Sequence, residues 1–343
     1  MQAEFSQMRR EIIEIPNAVD RLLRLGAADI RTAADALRAR PPVFMTTVAR
    51  GSSDHVTTYL KYCCEMLLGV PVVSVGPSIA SIYKRPLHLR QSAILAVSQS
   101  GMSPDIVETA RMARAGGALT IAITNHIDSP LAQGACHTVN LHAGQEQSVA
   151  ATKTFVNSAV AGLWLLAEFA ENDALVAAIG DLPDALEKAV GFDWPDLREG
   201  LNGRNSIFCL GRGPALGIAN EAALKFKEVC RIHAEAFSSA EVLHGPVSIM
   251  ETGFPVLAFA AGDDAEDALG QVADDLVGMG GAVFATTSKV SRARQLDVVR
   301  TGHALTDPLA LIATVYAMVE RTAVGRGIDP DTPRHLKKVT RTR

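Results

Sequence analysis

Aromatic residues make up only 5% of this 343-residue chain, and acidic residues outnumber basic ones by 37 to 33, for a formal net charge of −4. Both features argue against the basic, base-stacking surface of a nucleic-acid binder. Long apolar runs are missing too. The most apolar stretch, residues 159–170, contains Glu168 and falls short of the roughly 20 residues a membrane-spanning helix needs, so it is expected to be a buried helix. The N-terminus, MQAEFSQMRREIIEIP, mixes charges among its apolar residues and has no signal-peptide core. No membrane association is expected, and a cytoplasmic location is the default. Cysteine is sparse: Cys63, Cys64, Cys136, Cys209 and Cys230 are odd in number and fit neither a disulfide framework nor a zinc site. They are expected to be small buried hydrophobes in a reducing compartment.

What is present is apolar bulk, 48% of residues, enough for two cored domains at this length. Met8, Ile12 and Ile15 predict a helix over residues 5–15 that ends at Pro16, and a second helix covers residues 27–40 before Pro41-Pro42. Short apolar runs at 43–48, 72–75, 93–97, 119–124 and 138–141 then alternate with helical stretches, the pattern of a parallel sheet built from crossover units. The rhythm restarts about 160 residues later. Runs at 206–210, 255–259, 282–287 and 296–300 mirror those at 43–48, 93–97, 119–124 and 138–141, so a duplicated α/β domain is expected. The join falls in the polar stretch 180–205. The expected plan is an N-terminal helical segment (1–26), a first domain (27–178), a second domain (179–325) and a C-terminal tail (326–343).

Chemistry-bearing residues gather at the strand-to-helix turns. Ser98-Gln99-Ser100-Gly101-Met102-Ser103 follows the run 93–97 and precedes a helix, where hydroxyls, an amide and first-turn N–H groups can hold a phosphate; a plain serine-rich turn is the alternative. Ligands of such sheets lie beyond the carboxyl ends of the strands. Gly51-Ser52-Ser53 is a second turn of this kind, without the lysine of a Walker loop. Gly211-Arg212-Gly213 departs from a dinucleotide fingerprint, because Leu216 stands at the third glycine position. A polar loop over 144–153 opens the apolar helix. Lys225 and Glu228 share a helix face; such a pair is commonly a solvated ion pair, whereas in a cleft Glu228 is a usable base. Glu241-Val242-Leu243-His244-Gly245-Pro246 sets a histidine in a turn, either structural or a proton carrier. The end HLKKVTRTR is basic, and a solvated tail is its simplest reading.

Four stretches together, SQSGMSPD, SVAATKTF, EAALKFKEVCRIHAEAFSSAEVLHGP and DTPRHLKKVT, resemble the isomerase region of glucosamine-fructose-6-phosphate aminotransferase and its sugar isomerase (SIS) domain relatives. The resemblance runs from about Phe5 to the C-terminus. It implies two tandem doubly wound, flavodoxin-like SIS domains acting on a phosphorylated sugar without metal or organic cofactor. Position by position, it implies that Ser98, Gln99, Ser100 and Ser103 hold the phosphate, that Gly51, Ser53, Val149 and Ala151 line the sugar site, and that Lys225 sits beside the substrate. Glu228 is implied to move the proton between C1 and C2, and His244 to open the sugar ring from a neighbouring subunit, which implies a homodimer. Lys338 is implied to be the tail lysine that reacts with or closes over the open-chain carbonyl.

Departures from that pattern sharpen the expectation. No glutamine amidotransferase domain is expected ahead of Phe5, Ala151 stands where that family has a serine, and Met102 where it has an acidic residue of the cradle. SVAATK is similar to stand-alone amino-sugar phosphate deaminases. A glucosamine-6-phosphate deaminase is therefore the leading expectation. The alternatives are an aldose–ketose phosphosugar isomerase, a non-catalytic sugar-phosphate sensor, and an isomerase subunit fed by a separate glutaminase.

Overall fold

The computed structural model describes residues 5–338. Helices α1 (Gln7–Ile13), α2 (Ile15–Leu25) and α3 (Ala27–Ala39) precede β1 (Phe44–Val48), α4 (Ser52–Leu68), β2 (Val72–Ser74), α5 (Ser78–Ser81), β3 (Ser92–Val97), α6 (Pro104–Ala115), β4 (Leu119–Thr124), α7 (Pro130–Gly134) and β5 (His137–Asn140). Helices α8 (Lys153–Phe169), α9 (Asp173–Gly180), α10 (Leu182–Ala189) and α11 (Pro195–Gly200) follow. The second run is β6 (Ser206–Gly211), α12 (Ala215–Cys230), β7 (His233–Ser238), two 3-10 turns (Glu241–Leu243 and Pro246–Ile249), β8 (Pro255–Phe259), α13 (Glu266–Gly278), β9 (Ala282–Ala285), β10 (Arg294–Gln295) and α14 (Asp307–Gly325).

Two sheets result, ordered β2-β1-β3-β4-β5 and β10-β9-β8-β6-β7, with every pairing parallel. Read from its other edge, the second sheet repeats the strand order of the first, so the duplication expected from the sequence is present in the topology. The central strands β3, β4 and β8 are buried along their whole length. Helices cover both faces of such a sheet, which is why these strands read as continuous apolar runs.

Two compact units form around the sheets. The first consists of Pro16–Gln147, Lys153–Pro183 and residues 336–338; the second of residues 5–15, Ser148–Thr152 and Asp184–His335. In the first unit α8 packs against α3 and α4, and an added Cβ at Gly162 would come within 2.3 Å of Leu60, so glycine permits that close approach. In the second, α12 packs along α14, and the Phe208, Phe254 and Val256 side chains centre a core beneath α13.

Three sequence expectations need correcting. Pro16 does not end one long helix. It occupies the first turn of α2, where its missing N–H leaves no intrahelical bond unmade. Residues 296–300 are not a strand: β9 stops at Ala285, the ladder closes with Leu296 N–H donating to the Ala285 carbonyl at 2.8 Å, and Arg300 turns in to reach Asp307 at 2.8 Å. Cys136 is exposed, while the other four cysteines are buried as expected. Burial pushes the Cys64 and Cys230 thiols up to about 12, far from a reactive thiolate.

Candidate active site

The register of the first sheet levels its carboxyl ends. Val48 lies beside Ala96, Val97 beside Ile123, and Thr124 beside Asn140, so the loops after β1, β3, β4 and β5 leave from one edge. After β1, Gly51 adopts φ 56° and ψ −133°, a backbone open to glycine, and starts α4 with Ser52 and Ser53 half-buried in its first turn. After β3 comes the turn Ser98–Ser103. Ser98 Oγ accepts from Gly101 N–H and Ser100 Oγ from Met102 N–H, each at 3.2 Å, which leaves each hydroxyl its own proton to donate outward. Ser103 is the N-cap of α6 but makes no capping bond with its side chain, and Gln99 is half-buried beside it. Asp105 in the first turn of α6 is wholly buried and bonds the Arg50 guanidinium at 2.9 Å, tying the β1 and β3 loops together.

A second set of bonds carries the edge onward. Asn125 N–H donates to the Gln99 carbonyl at 3.1 Å, and its side chain accepts from Ala143 N–H at 3.0 Å and donates to the Gly144 carbonyl at 2.8 Å. The loop that Asn125 holds leads two residues later to Glu146, whose side chain is fully buried. Its carboxylate accepts from Thr154 N–H (3.1 Å), Thr154 Oγ1 (2.7 Å) and the Lys338 ammonium (2.6 Å). The serine turn and the tail lysine thus occupy one hydrogen-bonded edge of one unit. Neither Asn125 nor Glu146 was singled out by sequence reasoning, although Glu146 lies inside the polar loop 144–153.

In the second unit, Lys225 and Glu228 of α12 form an ion pair, as their three-residue spacing predicts. It is not a solvated pair, because Lys225 is wholly buried and also stands 3.4 Å from the buried carboxylate of Glu221, which accepts from Tyr316 Oη at 3.0 Å. Glu221 and Tyr316 escaped the sequence reading, although Glu221 lies one helical turn before Lys225. Glu228 keeps a 20% exposed side chain, so it faces an accessible space while its cation partner is sealed. Val149 and Ala151 are half-buried and belong by packing to this unit, where buried Glu11 of α1 holds the adjacent Ser148 N–H at 3.2 Å.

His244 is exposed between the two 3-10 turns, beyond the carboxyl end of β7, whereas Glu228 stands just before the start of that strand. The six residues of β7 span roughly 20 Å. The unit therefore places Glu228 and His244 at opposite edges of its own sheet and does not bring them together.

The duplicated sheets differ where the serine turn would recur. After β8 the loop reads Ala260-Ala261-Gly262-Asp263-Asp264. Gly262 has φ 62°, matching 61° at Gly101, so the backbone turn is kept while hydroxyls give way to carboxylates. Burial raises the Asp263 pKa above its ordinary value. Among the described residues, no group of three His, Cys, Asp or Glu side chains could hold a metal ion, and no helix is long and apolar enough to cross a membrane.

Comparisons with known proteins bear on the family and the fold. The isomerizing glutamine–fructose-6-phosphate aminotransferase of Pyrobaculum aerophilum is 34% identical over 346 residues, covering 96% of this chain and 56% of that protein. The chain spans about half the length of the curated relatives it matches. A solved structure from Silicibacter pomeroyi, provisionally named a phosphosugar isomerase, shares 60% identity and a TM-score of 0.93 over 95% of this chain and 100% of that one. The glucosamine-6-phosphate deaminase of Thermotoga maritima, 18% identical, shares the fold with a TM-score of 0.78 over 98% of this chain and 100% of that one. The SIS domain matches twice, at residues 45–168 and 200–314, once over each five-stranded sheet, and the chain belongs to the SIS domain family.

Proposed function

We propose that the protein is a glucosamine-6-phosphate deaminase that opens the sugar ring, moves a proton from C2 to C1, and releases fructose-6-phosphate and ammonium. The observation that carries this reading is the continuous edge from Ser98 through Asn125 to Glu146 and Lys338. It offers anion donors at one end and an amine at the other, inside a single unit.

In this mechanism Ser98, Gln99, Ser100, Ser103 and the first-turn N–H groups of α6 hold the phosphate. Gly51, Ser53, Val149 and Ala151 line the sugar. His244 acts as acid and base on the ring oxygen and the C1 hydroxyl, giving the open-chain 2-amino aldehyde. Its distance from Glu228 within the unit supports delivery from the partner of a homodimer. Glu228 then takes the C2 proton and returns it to C1. This turns aldehyde and amine into alcohol and iminium; water adds at C2 and ammonium leaves. Lys225 pairs with Glu228 and aims it, and Lys338 lies beside the carbonyl.

The test is a coupled ammonium assay with glucosamine-6-phosphate. Ammonium release by the wild type, abolished in Glu228→Gln with substrate affinity kept, is the expected result. A second reading, an aldose–ketose phosphosugar isomerase, is favoured by the 60% identical relative of that provisional name. It uses the same base without nitrogen on the substrate. Turnover of an aldose phosphate with no ammonium release would replace the first reading by the second.

A further inference from the structure

The Glu146 carboxylate is buried beyond what a loop residue needs. Two of its bonds go to Thr154, one of them to an N–H in the first turn of α8, where a negative charge also suits the helix dipole. A neutral glutamine would serve Thr154 as well, its oxygen accepting from the N–H and its amide nitrogen donating to the hydroxyl. Another bond, to the Lys338 ammonium at 2.6 Å, needs an acceptor with charge to match. Lys338 is the last described residue of a tail whose preceding residues Arg334, His335, Leu336 and Lys337 are all exposed. The ion pair is thus where that end of the chain is gripped by the first unit. Because Asn125 bridges the Glu146 loop to the Ser98–Ser103 turn, the grip is held at a fixed offset from the serine hydroxyls.

We propose that Glu146 is a positioning residue: its buried carboxylate receives the Lys338 ammonium and sets where the tail presents that amine relative to the serine turn. The inference rests on the proposed function for the statement that the amine meets a sugar carbonyl. The docking itself does not depend on it. A carboxylate that only capped α8 would leave the tail indifferent to its charge.

Glu146→Gln, Lys338→Met and the double variant separate these roles, since a glutamine can still bond Thr154, its oxygen accepting from the N–H and its amide nitrogen donating to the hydroxyl, but loses the oxygen that accepts from the ammonium. Limited trypsin cleavage at the exposed Lys337 reports docking without any need for turnover. Cleavage is expected to be faster in Glu146→Gln and in Lys338→Met than in the wild type, with Glu146→Asp in between. In the ammonium assay Glu146→Gln is expected to lower kcat by about 2- to 150-fold, the range of coupling between contacting charged groups, with KM nearly unchanged. Adding it to Lys338→Met is expected to cost nothing further. Unchanged cleavage in Glu146→Gln, or fully additive losses in the double variant, overturns the proposal. Faster cleavage in a protein that turns over no sugar phosphate leaves Glu146 as the tail's receptor and overturns the functional reading instead. Should Glu146→Gln fail to fold, Lys338→Met and Glu146→Asp supply the same comparison.

Discussion

Replacing Gly101 by alanine tests the serine turn at its tightest point. Its φ of 61° lies in the left-handed region, which costs a residue bearing a Cβ about 1–2 kcal/mol. The new methyl would stand 2.1 Å from Ser129 Oγ and 2.5 Å from Ser129 Cβ, with Thr124 Oγ1 at 3.1 Å. Ser129 is not a flexible side-chain tip: it caps α7 by accepting from Ala132 N–H at 3.3 Å, so it yields poorly. Overpacking of this kind costs about 1–3 kcal/mol, which brings the expected destabilisation to about 2–5 kcal/mol. Urea unfolding measures it, and KM for the sugar phosphate is expected to rise as the turn shifts. Ser129→Gly removes both clashing atoms, so the double variant is expected to be more stable than the two single losses combined would predict, by about 1–3 kcal/mol. A Gly101→Ala protein within about 0.5 kcal/mol of the wild type, or a double variant that is simply additive, would falsify the packing argument.

The remaining predictions concern charges. Lys225→Met leaves Glu221 buried without its cation and is expected to cost about 3–5 kcal/mol in urea unfolding; adding Glu221→Gln should restore part of it, and a fully stable Lys225→Met would contradict the buried network. Asp274 is held well below the ordinary value of 3.8 by the Ser291 hydroxyl, then by the N–H groups of Ala293, Ser291 and Arg292. A lowered folded pKa means its contribution is complete above the unfolded value and is lost as pH falls below 3.8 through the folded one. The melting-temperature gap between wild type and Asp274→Asn is therefore expected to be widest near neutral pH and to shrink below 3.8; a gap independent of pH would refute it.

The central strands were legible because burial on both faces demands unbroken apolar sequence, and β4 and β8 begin and end where the runs 119–124 and 255–259 do. Edge strands obey a weaker demand. β7, HAEAFS, has an exposed, buried, exposed start and gave no apolar run, so it went unread although it completes the second sheet. Loop positions fared likewise. The Ser98–Ser103 turn announced itself through composition and its place after a strand. Glu146 and Glu221 did not, because a buried carboxylate is written no differently from a surface one. What distinguishes them is a partner remote in sequence: Lys338 lies 192 residues from Glu146, and Tyr316 lies 95 from Glu221. Glu228 and Lys225 were legible as a pair because one helix face sets their meeting.

The two copies of one strand plan differ after β3 and β8, and on the proposed reading only the first keeps a berth for a charged ester. The acidic replacement after β8 turns an anion away, so on the proposed reading a titration with sugar phosphate should saturate at a single equivalent per polypeptide. On that reading, symmetry of scaffold does not carry over into symmetry of occupancy.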